Sequence, residues 1–385
     1  MIHIFFKTIW NNRKRNILVF IELFVISLIL VNLTIFLVDL VTIARIKNCY
    51  NPKDVVQIGL SRSGNEDQRI YEQAFSNLKE VLLTNKIVES VSMNDYLSVP
   101  YNNGYGSTGL EYGNYTLNLS WHRVDIDYAK VMKIAPLKGR WFNETDFGKK
   151  VKPIIISKDV EEKYFFGNAI GKRIGGDYYE IIGIVDAFKN NDFESPYSSA
   201  FVLNEYLGTQ LLIRTEENRT SDLLSIAESQ VYSVLNPAVW RISSINTLEN
   251  MRAAQNHTSA QRYYLSLIIA LFIIINVFLG VIGVLWYNTN LRLHEIGIKR
   301  ALGATRWSVN MHLLLENMFI AILALVIVIL IFIQLYSVDK AAQQGVAIKS
   351  MIISTLLMII LVAISTWLAA SFNSQIRPAV ALKTE

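Results

Sequence analysis

The chain has 385 residues, of which 52% are hydrophobic, so it is more apolar than an ordinary soluble domain. The formal net charge is +5, but the basic residues are grouped beside apolar runs and do not form one continuous patch. The charge therefore does not indicate nucleic-acid binding. A single cysteine, Cys49, excludes an internal disulfide framework.

Four apolar runs have the length of membrane helices: residues 17–41, 265–287, 311–336 and 351–372. Each approaches or exceeds the ~20 residues that an apolar helix needs to cross a bilayer. The mixed segment between the first two runs is large enough to be a domain with its own core. The predicted fold is an α-helical membrane protein with four transmembrane helices and a large extracytoplasmic α+β domain inserted between the first and second helices.

Basic residues mark one side of the predicted spans as cytoplasmic, because short cytoplasmic loops are enriched in lysine and arginine. Both termini and the segment between the second and third spans are therefore expected in the cytoplasm of a bacterium, with the large domain outside. The residues concerned are Lys7, Arg13, Lys14, Arg15, Arg292, Lys299, Arg300, Arg306, Arg377 and Lys383.

The predicted organisation begins with a cytoplasmic amphipathic helix that lies on membrane lipid at the inner leaflet. The successive segments are 1–16 interfacial helix, 17–41 transmembrane helix 1, 42–262 extracytoplasmic domain, 263–287 transmembrane helix 2, 288–310 cytoplasmic elbow, 311–336 transmembrane helix 3, 337–350 short external loop, 351–372 transmembrane helix 4 and 373–385 cytoplasmic tail.

Polar residues within the predicted spans are few. Glu22 lies near the cytoplasmic end of the first span, where it can reach the interface or pair with a basic neighbour. A proton-relay role for Glu22 is not favoured, because no acidic or histidine partner recurs in the other spans. Asn276 in the second span and Glu316 early in the third are interpreted as packing or interface groups.

The external segment shows mixed strand and helix patterns. Strands are predicted at 55–60, 87–93, 153–156, 179–185, 211–214 and 239–243, with amphipathic helices at 68–83 and 223–234. Residues 100–115 are rich in Gly, Asn and Tyr and predict a long loop. Arg140, in a Gly-Arg-Trp-Phe sequence, is interpreted as a turn residue paired within the domain rather than as a ligand clamp.

The polar segment 288–310 between the second and third spans carries the sequence features that point to function. Leu291, Glu295, Ile298 and Leu302 recur at helical spacing, so the second span is predicted to continue as a helix as far as Leu302. Gly303 suits the residue after a helix C-terminus, and Thr305 suits the N-cap of the next helix. By charge alone, the segment is more often an ordinary positive loop that fixes topology.

The exact residues of this segment resemble the signature of the MacB/FtsX-type ABC transporter permeases. The string is Glu295, Ile296, Gly297, Ile298, Lys299, Arg300, Ala301, Leu302, Gly303, Ala304 and Thr305. His294 stands where many members of the family carry arginine or another polar residue. The resemblance implies a cytoplasmic elbow and coupling helix that docks on an ATPase subunit.

The middle of the external segment is similar to the periplasmic core domain of MacB-like permeases. The similarity rests on the order of five short sequences: residues 139–142, 153–156, 164–167, 171–174 and 179–185. The family resemblance implies two lobes, the first and last parts forming one and the middle part forming an inserted second lobe.

No catalytic, metal-binding or cofactor-binding set of residues is recognised in the chain. Residues 167–173 have the wrong spacing for a phosphate-binding loop and lead into strand-like sequence. The five histidines have no metal-ligand spacing, and His294-Glu295 lacks the second histidine of a zinc protease motif. The family resemblance implies that ATP and magnesium bind to a separate ATPase chain and that this chain is a non-catalytic permease without a cofactor of its own.

The resemblance implies a dimeric permease in the bacterial inner membrane that couples ATP hydrolysis to movements of its external domain by mechanotransmission. The expected role is efflux of peptides, drugs or similar substrates. Expected partners are the ABC ATPase, a second identical or related permease and, in a Gram-negative cell, a periplasmic adaptor and outer-membrane channel. The alternatives are a lipoprotein-releasing permease, an FtsX-like regulator of cell-wall hydrolases, and a membrane-anchored sensor or scaffold without an ATPase.

Overall fold

The computed structural model describes residues 13–62, 68–102, 106–204, 208–337 and 341–373. The predicted interfacial helix at 1–16 lies outside these ranges for its first twelve residues, as does the predicted tail beyond residue 373. The chain divides into two compact units. The first contains Met1–Thr42 and Tyr264–Glu385, and the second is Ile43–Tyr263.

The helices and strands of the described residues are numbered here in chain order. They are α1 Arg13–Arg45, β1 Val55–Arg62, α2 Gln68–Thr84, β2 Val88–Asn94, β3 Ser107–Tyr112, β4 Tyr115–Val124, α3 Tyr128–Met132, β5 Lys138–Gly139, β6 Lys152–Ser157, α4 Lys158–Phe165, β7 Arg173–Ile174, β8 Tyr179–Val185, β9 Ser199–Leu203, β10 Gln210–Thr215, α5 Thr220–Tyr232, β11 Trp240–Thr247, α6 Leu248–Asn290, α7 Leu293–Ala301, α8 Arg306–Ser337 and α9 Ala341–Asn373.

Within the described ranges, four helices are long and apolar enough to cross a membrane, as the hydropathy predicts: α1, α6, α8 and α9. Their apolar side chains meet in one core of the first unit, which includes Leu23 of α1, Val281 of α6, Ala324 of α8 and Val362 of α9. Many large apolar side chains on the same helices remain exposed, as a lipid-facing surface requires.

All four helices begin before their predicted spans, and the difference is largest for α6 and α9. Helix α6 has 43 residues and starts at Leu248, because residues 248–262 are compatible with a helix although they are too polar to signal a span. Helix α9 starts at Ala341, so residues 341–350 are helical and the prediction of a loop over 337–350 is wrong for this part. The composition there, with alanine and glutamine at 341–344, favours a helix.

The second unit contains a four-stranded antiparallel sheet built from its first and last segments. The strand order is β11-β1-β10-β2, and Val56 of β1 lies opposite both Ile213 and Thr247. Helices α2 and α5 pack on this sheet through Phe75, Leu78 and Leu223. The predicted strands near 55, 87, 211 and 239 are all present here.

The middle segment of the second unit forms a seven-stranded mixed sheet. The order is β3-β4-β9-β6-β8-β5, with β7 paired to β8. Strands β6 and β8 are parallel, as are β4 and β9. Its core contains Leu117, Ile154, Ile181 and Phe165.

Strand β3 corrects the prediction of a long loop over residues 100–115. Ser107–Tyr112 pairs antiparallel with β4, and Tyr112 lies opposite Tyr115. The two-residue connection Gly113-Asn114 is a hairpin turn, with Gly113 at φ +56°, and such turns favour glycine and asparagine. The glycine and asparagine at 113–114 therefore belong to the turn of a hairpin rather than to a long loop. Residues 103–105 of the predicted loop lie outside the described ranges.

Arg140 is a paired turn residue, which confirms its interpretation. Its guanidinium donates to both carboxylate oxygens of Asp146, at 2.6 and 2.8 Å. Asp146 also accepts from Lys149 at 2.7 Å and from the backbone N–H of Asn143. The bond from Arg140 holds the pKa of Asp146 well below its usual range.

Candidate functional site

The segment between α6 and α8 does not continue the second span as one unbroken helix. Helix α6 ends at Asn290, and the short helix α7 begins at Leu293. The prediction of a continuous helix as far as Leu302 is therefore wrong at residues 291–292. The chain turns there while keeping local hydrogen bonds, since Arg292 N–H donates to Thr289 O at 3.1 Å and Ile296 N–H donates to Arg292 O at 2.9 Å.

The turn places the Arg292 side chain inside the first unit, against Glu316 of α8. Nη2 of Arg292 donates to Oε1 of Glu316 at 2.8 Å, and Nη1 donates to Oε2. The two side chains are 3% and 1% exposed. A bidentate pair of this kind is directional and strong. It connects the turn between α6 and α7 to α8.

The sequence does not predict this pair. From sequence, Arg292 is expected to be one charge of a cationic elbow and Glu316 a packing or interface group. A signal for the pair was present, because an acidic residue in a membrane-length apolar run requires a partner. Nothing in the sequence alone identified which cation it would be.

The end of α7 follows the sequence prediction. Gly303 has φ +94°, in the region that glycine adopts without strain. The Ala304 N–H donates to Lys299 O at 3.0 Å, which closes the helix end. Thr305 then caps α8, because its Oγ1 accepts from the Ser308 N–H at 3.2 Å. Both assignments are confirmed.

Helix α7 has a face packed inside the first unit. Ile296 is 5% exposed and packs with Val309, Leu313 and Ala370, while Ala304 adjoins the same cluster. Gly297 is also buried, and Arg300 is half-buried with its Nη1 at 3.5 Å from Ala304 O. These contacts connect α7 to α8 and α9.

The other face of α7 is exposed and is called here the docking face: Glu295, Ile298, Lys299 and Leu302. These four residues follow the i, i+3, i+4, i+7 spacing of one helical face. Leu302 is 83% exposed and Ile298 is 42% exposed, and both charged side chains are exposed as well. Two apolar side chains beside one acidic and one basic residue suit a helix that binds in the groove of another protein.

The remaining predicted site residues lie at the edges of this face. Ala301 and Thr305 are exposed. Charges are arranged along α7 with Glu295 in its first turn and Lys299 and Arg300 in its last, which is the order that the helix dipole favours. Of the eleven predicted residues, Glu295 to Ala301 belong to α7, and Leu302 to Thr305 form the connection from α7 to α8.

No group of three or more His, Cys, Asp or Glu side chains that could hold a metal ion is found in the part of the chain that the structure describes. The sequence at 167–173 leads into strand β7 at Arg173, unlike a phosphate-binding loop, which leads into a helix. The exposed apolar side chains of Ile298 and Leu302 suit a protein–protein contact.

Comparison with known families gives two adjacent matches. Residues 27–238 match the family model of the MacB-like periplasmic core domain. Residues 267–378 match the family model of the FtsX-like permease C-terminal region. The second match contains the whole of α7 and its docking face.

A curated relative is similar to more than half of the chain. The macrolide export ATP-binding/permease protein MacB of Neisseria gonorrhoeae is 25% identical over 227 residues, which are 56% of this chain and 35% of that protein. The chain thus spans about a third of the length of this relative.

Among solved structures, the extracellular domain of the noncanonic ABC-type transporter YknZ from Gram-positive bacteria has a TM-score of 0.34 and 19% identity. The matched region covers 49% of this chain and 100% of the YknZ domain. The periplasmic region of MacB from Actinobacillus actinomycetemcomitans has a TM-score of 0.35 and 13% identity, over 52% and 92% of the two chains.

Proposed function

Because this chain belongs to the family of ABC transporter permeases with a MacB-like periplasmic core domain and an FtsX-like permease region, we propose that it is the permease subunit of a transporter driven by a separate ATPase chain. The proposal places ATP and magnesium on the partner and gives this chain no catalytic residue. The single observation that carries it is the exposed docking face of α7.

The docking face is suited to receive force because α7 is held firmly on its other side. Ile296 packs into the cluster with Val309 and Leu313, and the buried pair of Arg292 and Glu316 connects the turn before α7 to α8. A push on Leu302 therefore acts on the helices rather than on a flexible loop. This arrangement supports a coupling role over a loop that only fixes membrane topology.

Mechanotransmission also needs a stiff connection between the coupling segment and the external domain. Helix α6 is unbroken from Leu248 to Asn290 and has a length of roughly 65 Å at 1.5 Å per residue. In the proposed cycle, closure of the ATPases moves α7, and α6 transmits the movement to the two sheets, each of which we assign to one lobe of the external domain.

We also propose how the chain is oriented in the membrane and how it assembles. Both termini and α7 face the cytoplasm of a bacterium, and Ile43–Tyr263 lies outside the inner membrane. Two permeases pair, because one docking face serves one half of an ATPase dimer. The curated relatives are named for macrolide export, which supports efflux of drugs, peptides or similar molecules, with an adaptor and an outer-membrane channel where the cell has an outer membrane.

The test is a pull-down of the detergent-solubilised chain from its native membrane, with mass spectrometry and an ATPase assay. We expect an ABC ATPase to co-purify with the parent chain. Glu295→Lys and Leu302→Asp should lower its recovery at least tenfold, because both place an unfavourable charge on the docking face. Arg306→Gln, an exposed cation just outside that face, is the matched control and should retain the ATPase.

Recovery of no ATPase from membranes that contain one would contradict the proposal and favour a sensor or scaffold. Co-elution of a lipoprotein or of a cell-wall hydrolase would keep the ATPase coupling and replace efflux by lipoprotein release or hydrolase regulation.

A further inference from the structure

A polar loop in the second unit contacts both of the helices that continue into membrane spans. We call residues 186–193 the junction loop. It follows strand β8 of the seven-stranded sheet. On one side it contacts the end of α1 and the residues just after it, and on the other side it contacts the first turns of α6. All of these residues belong to the second unit.

The α1 side is held by backbone and amine contacts. Lys189 is 3% exposed, and its ammonium donates to the carbonyl of Ile43 at 3.1 Å and to that of Asp192 at 2.7 Å. The Ile43 carbonyl lies in the last turn of α1, where carbonyls have no partner within the helix and attract a cation. The Cys49 N–H also donates to Ala187 O at 2.9 Å.

The α6 side is held by one face of that helix. Arg252, Asn256, Ser259 and Tyr263 are spaced by four, three and four residues, so they project from the same side. The Asn191 amide donates to the Ser259 hydroxyl, and the ring of Phe193, the residue that ends the loop, lies 5.3 Å from that of Tyr263.

Asp192 is the residue where the two sides meet. Its Oδ2 accepts from Arg252 Nε at 2.7 Å and from Asn256 Nδ2 at 2.7 Å. Its Oδ1 lies 3.5 Å from Asn48 Nδ2, just beyond the end of α1. Its backbone N–H donates to Asn256 Oδ1 at 3.2 Å. One side chain therefore receives donors from α6 and from the segment just after α1, while its own backbone lies in the loop that leads from β8 to β9.

Most of the junction is protected from water, which makes its contacts specific. The side chain of Asp192 is 24% exposed, and Asn191 and Ser259 are buried. Burial lowers the pKa of Lys189, because it penalises the ammonium ion. Buried polar groups that lose one partner leave the others unsatisfied, so the arrangement favours a single geometry.

We propose that Asp192 is a positioning residue that makes the seven-stranded sheet move together with α1 and α6. The inference rests on the proposed function, because the movement concerned is the one that ATP hydrolysis drives. Without the contacts of Asp192, α6 is free to move without carrying the sheet. The transporter then hydrolyses ATP without the corresponding movement of its middle segment.

The experiment uses the full-length chain with its co-purified ATPase in lipid nanodiscs. A fluorophore that responds to its environment is attached at Glu162→Cys, an exposed position on α4, in a Cys49→Ala background. The ATP-dependent change in its fluorescence reports movement of the seven-stranded sheet and needs no knowledge of the substrate.

Asp192→Ala should reduce the ATP-dependent change at least fivefold while ATPase activity stays within twofold of the parent. Asn256→Ala, which removes only part of the contact, should give an intermediate loss. Glu180→Ala is the matched control. Glu180 is an acidic residue of the same sheet, and it pairs with Arg173 at the protein surface. This variant should keep the full ATP-dependent change in fluorescence. An undiminished change in Asp192→Ala would overturn the inference.

Hydrogen exchange separates failure of this inference from failure of the proposed function. If the parent binds no ATPase and shows no change with ATP, the proposed function fails. In the same chain without nucleotide, Asp192→Ala should still speed amide exchange at least tenfold in residues 186–193 and 252–259, with β6 unchanged. Equal exchange in parent and variant would show that Asp192 does not hold the junction.

Discussion

Arg214 shows how a single buried side chain can organise the second unit. It is 1% exposed, and it donates to three backbone carbonyls: Val131 O at 2.5 Å, Lys53 O at 2.7 Å and Asn51 O at 2.7 Å. Burial lowers its pKa. The guanidinium replaces water for three carbonyls that no strand or helix satisfies.

Replacing Arg214 with methionine should destabilise the protein by about 3 kcal/mol or more, because each buried acceptor left without a donor costs about 1–3 kcal/mol. Denaturant unfolding of the full chain, followed by tryptophan fluorescence, measures the change. Arg241→Met, at an exposed position on β11, should change the free energy of unfolding by about 0.5 kcal/mol or less. Equal effects of the two variants would contradict the role of Arg214.

His122 predicts a dependence of stability on pH. Its ring is buried between Phe188 and Phe201, and burial lowers its pKa from 6.5 to about 4. Between these two pH values, the unfolded chain binds a proton that the folded chain excludes, so stability falls as the pH decreases.

At pH 5 the penalty from His122 is about 2 kcal/mol relative to pH 7.5. Unfolding of the parent and of His122→Asn, measured at both pH values, should differ by this amount in their pH dependence. The penalty should begin below pH 6.5. A parent and variant with the same dependence would show that folding does not lower the pKa of His122.

At the scale of elements, Gly303 controls how α7 is connected to α8. A Cβ at this position meets no atom within 4 Å, yet φ is +94°. The cost of a side chain is therefore conformational and not steric. Valine should disturb the helix end by about 1–2 kcal/mol, whereas asparagine, which tolerates positive φ, should cost less.

The two substitutions at Gly303 can be compared in the pull-down. We expect Gly303→Val to lower ATPase recovery several-fold and Gly303→Asn to retain most of it. If both variants lost the ATPase equally, the presence of any side chain at position 303 would explain the loss. The positive φ would then not be the cause.

The ion pair of Arg292 and Glu316 should show strong coupling between its two members. Arg292→Leu or Glu316→Leu alone leaves a buried charge without its partner, which costs about 3–5 kcal/mol. The double variant removes both charges and should be much more stable than the sum of the two single effects implies. Thermal unfolding of all four chains in one detergent measures this coupling, and additive effects would contradict it.

The end of α7 and the start of α8 are predictable from the sequence, because Gly303 and Thr305 act through local backbone conformation. The turn at 291–292 was not, since it depends on a contact between Arg292 and a residue 24 positions away. The same difference explains β3: the strand was hidden in a loop-like composition, and only its pairing with β4 defines it.

Long-range polar contacts in the second unit were beyond sequence reasoning for the same physical reason. Asp192, Lys189 and Arg214 carry no local pattern that separates them from exposed charges. Their partners lie more than fifty residues away in most cases, as with Asp192 and Arg252. By contrast, the apolar periods that form the two sheets and the four long helices are repeated locally and are therefore visible in the sequence.

For the whole molecule, the orientation in the membrane is open to a direct test. Phe166 is 85% exposed in the second unit, and Leu302 is 83% exposed on α7 in the first. In a Cys49→Ala chain, cysteine at 166 should react with a membrane-impermeant maleimide on intact cells (spheroplasts, if an outer membrane is present). Cysteine at 302 should react only after the membrane is opened. Labelling of both from the same side would contradict the proposed topology.

The pairing of β1 has a consequence for the order in which the protein is made. Val55 lies opposite Arg214, and Val56 lies opposite Thr247, whereas the strands of the seven-stranded sheet all lie between residues 107 and 203. A chain emerging from the ribosome can therefore close the middle sheet first. The four-stranded sheet must wait for its later strands: β1 has no partner until β10 at residues 210–215 is made, and its second edge stays unpaired until β11 ends at residue 247. Biogenesis thus has a vulnerable interval in which an early, aggregation-prone strand needs protection by a chaperone or by rapid synthesis.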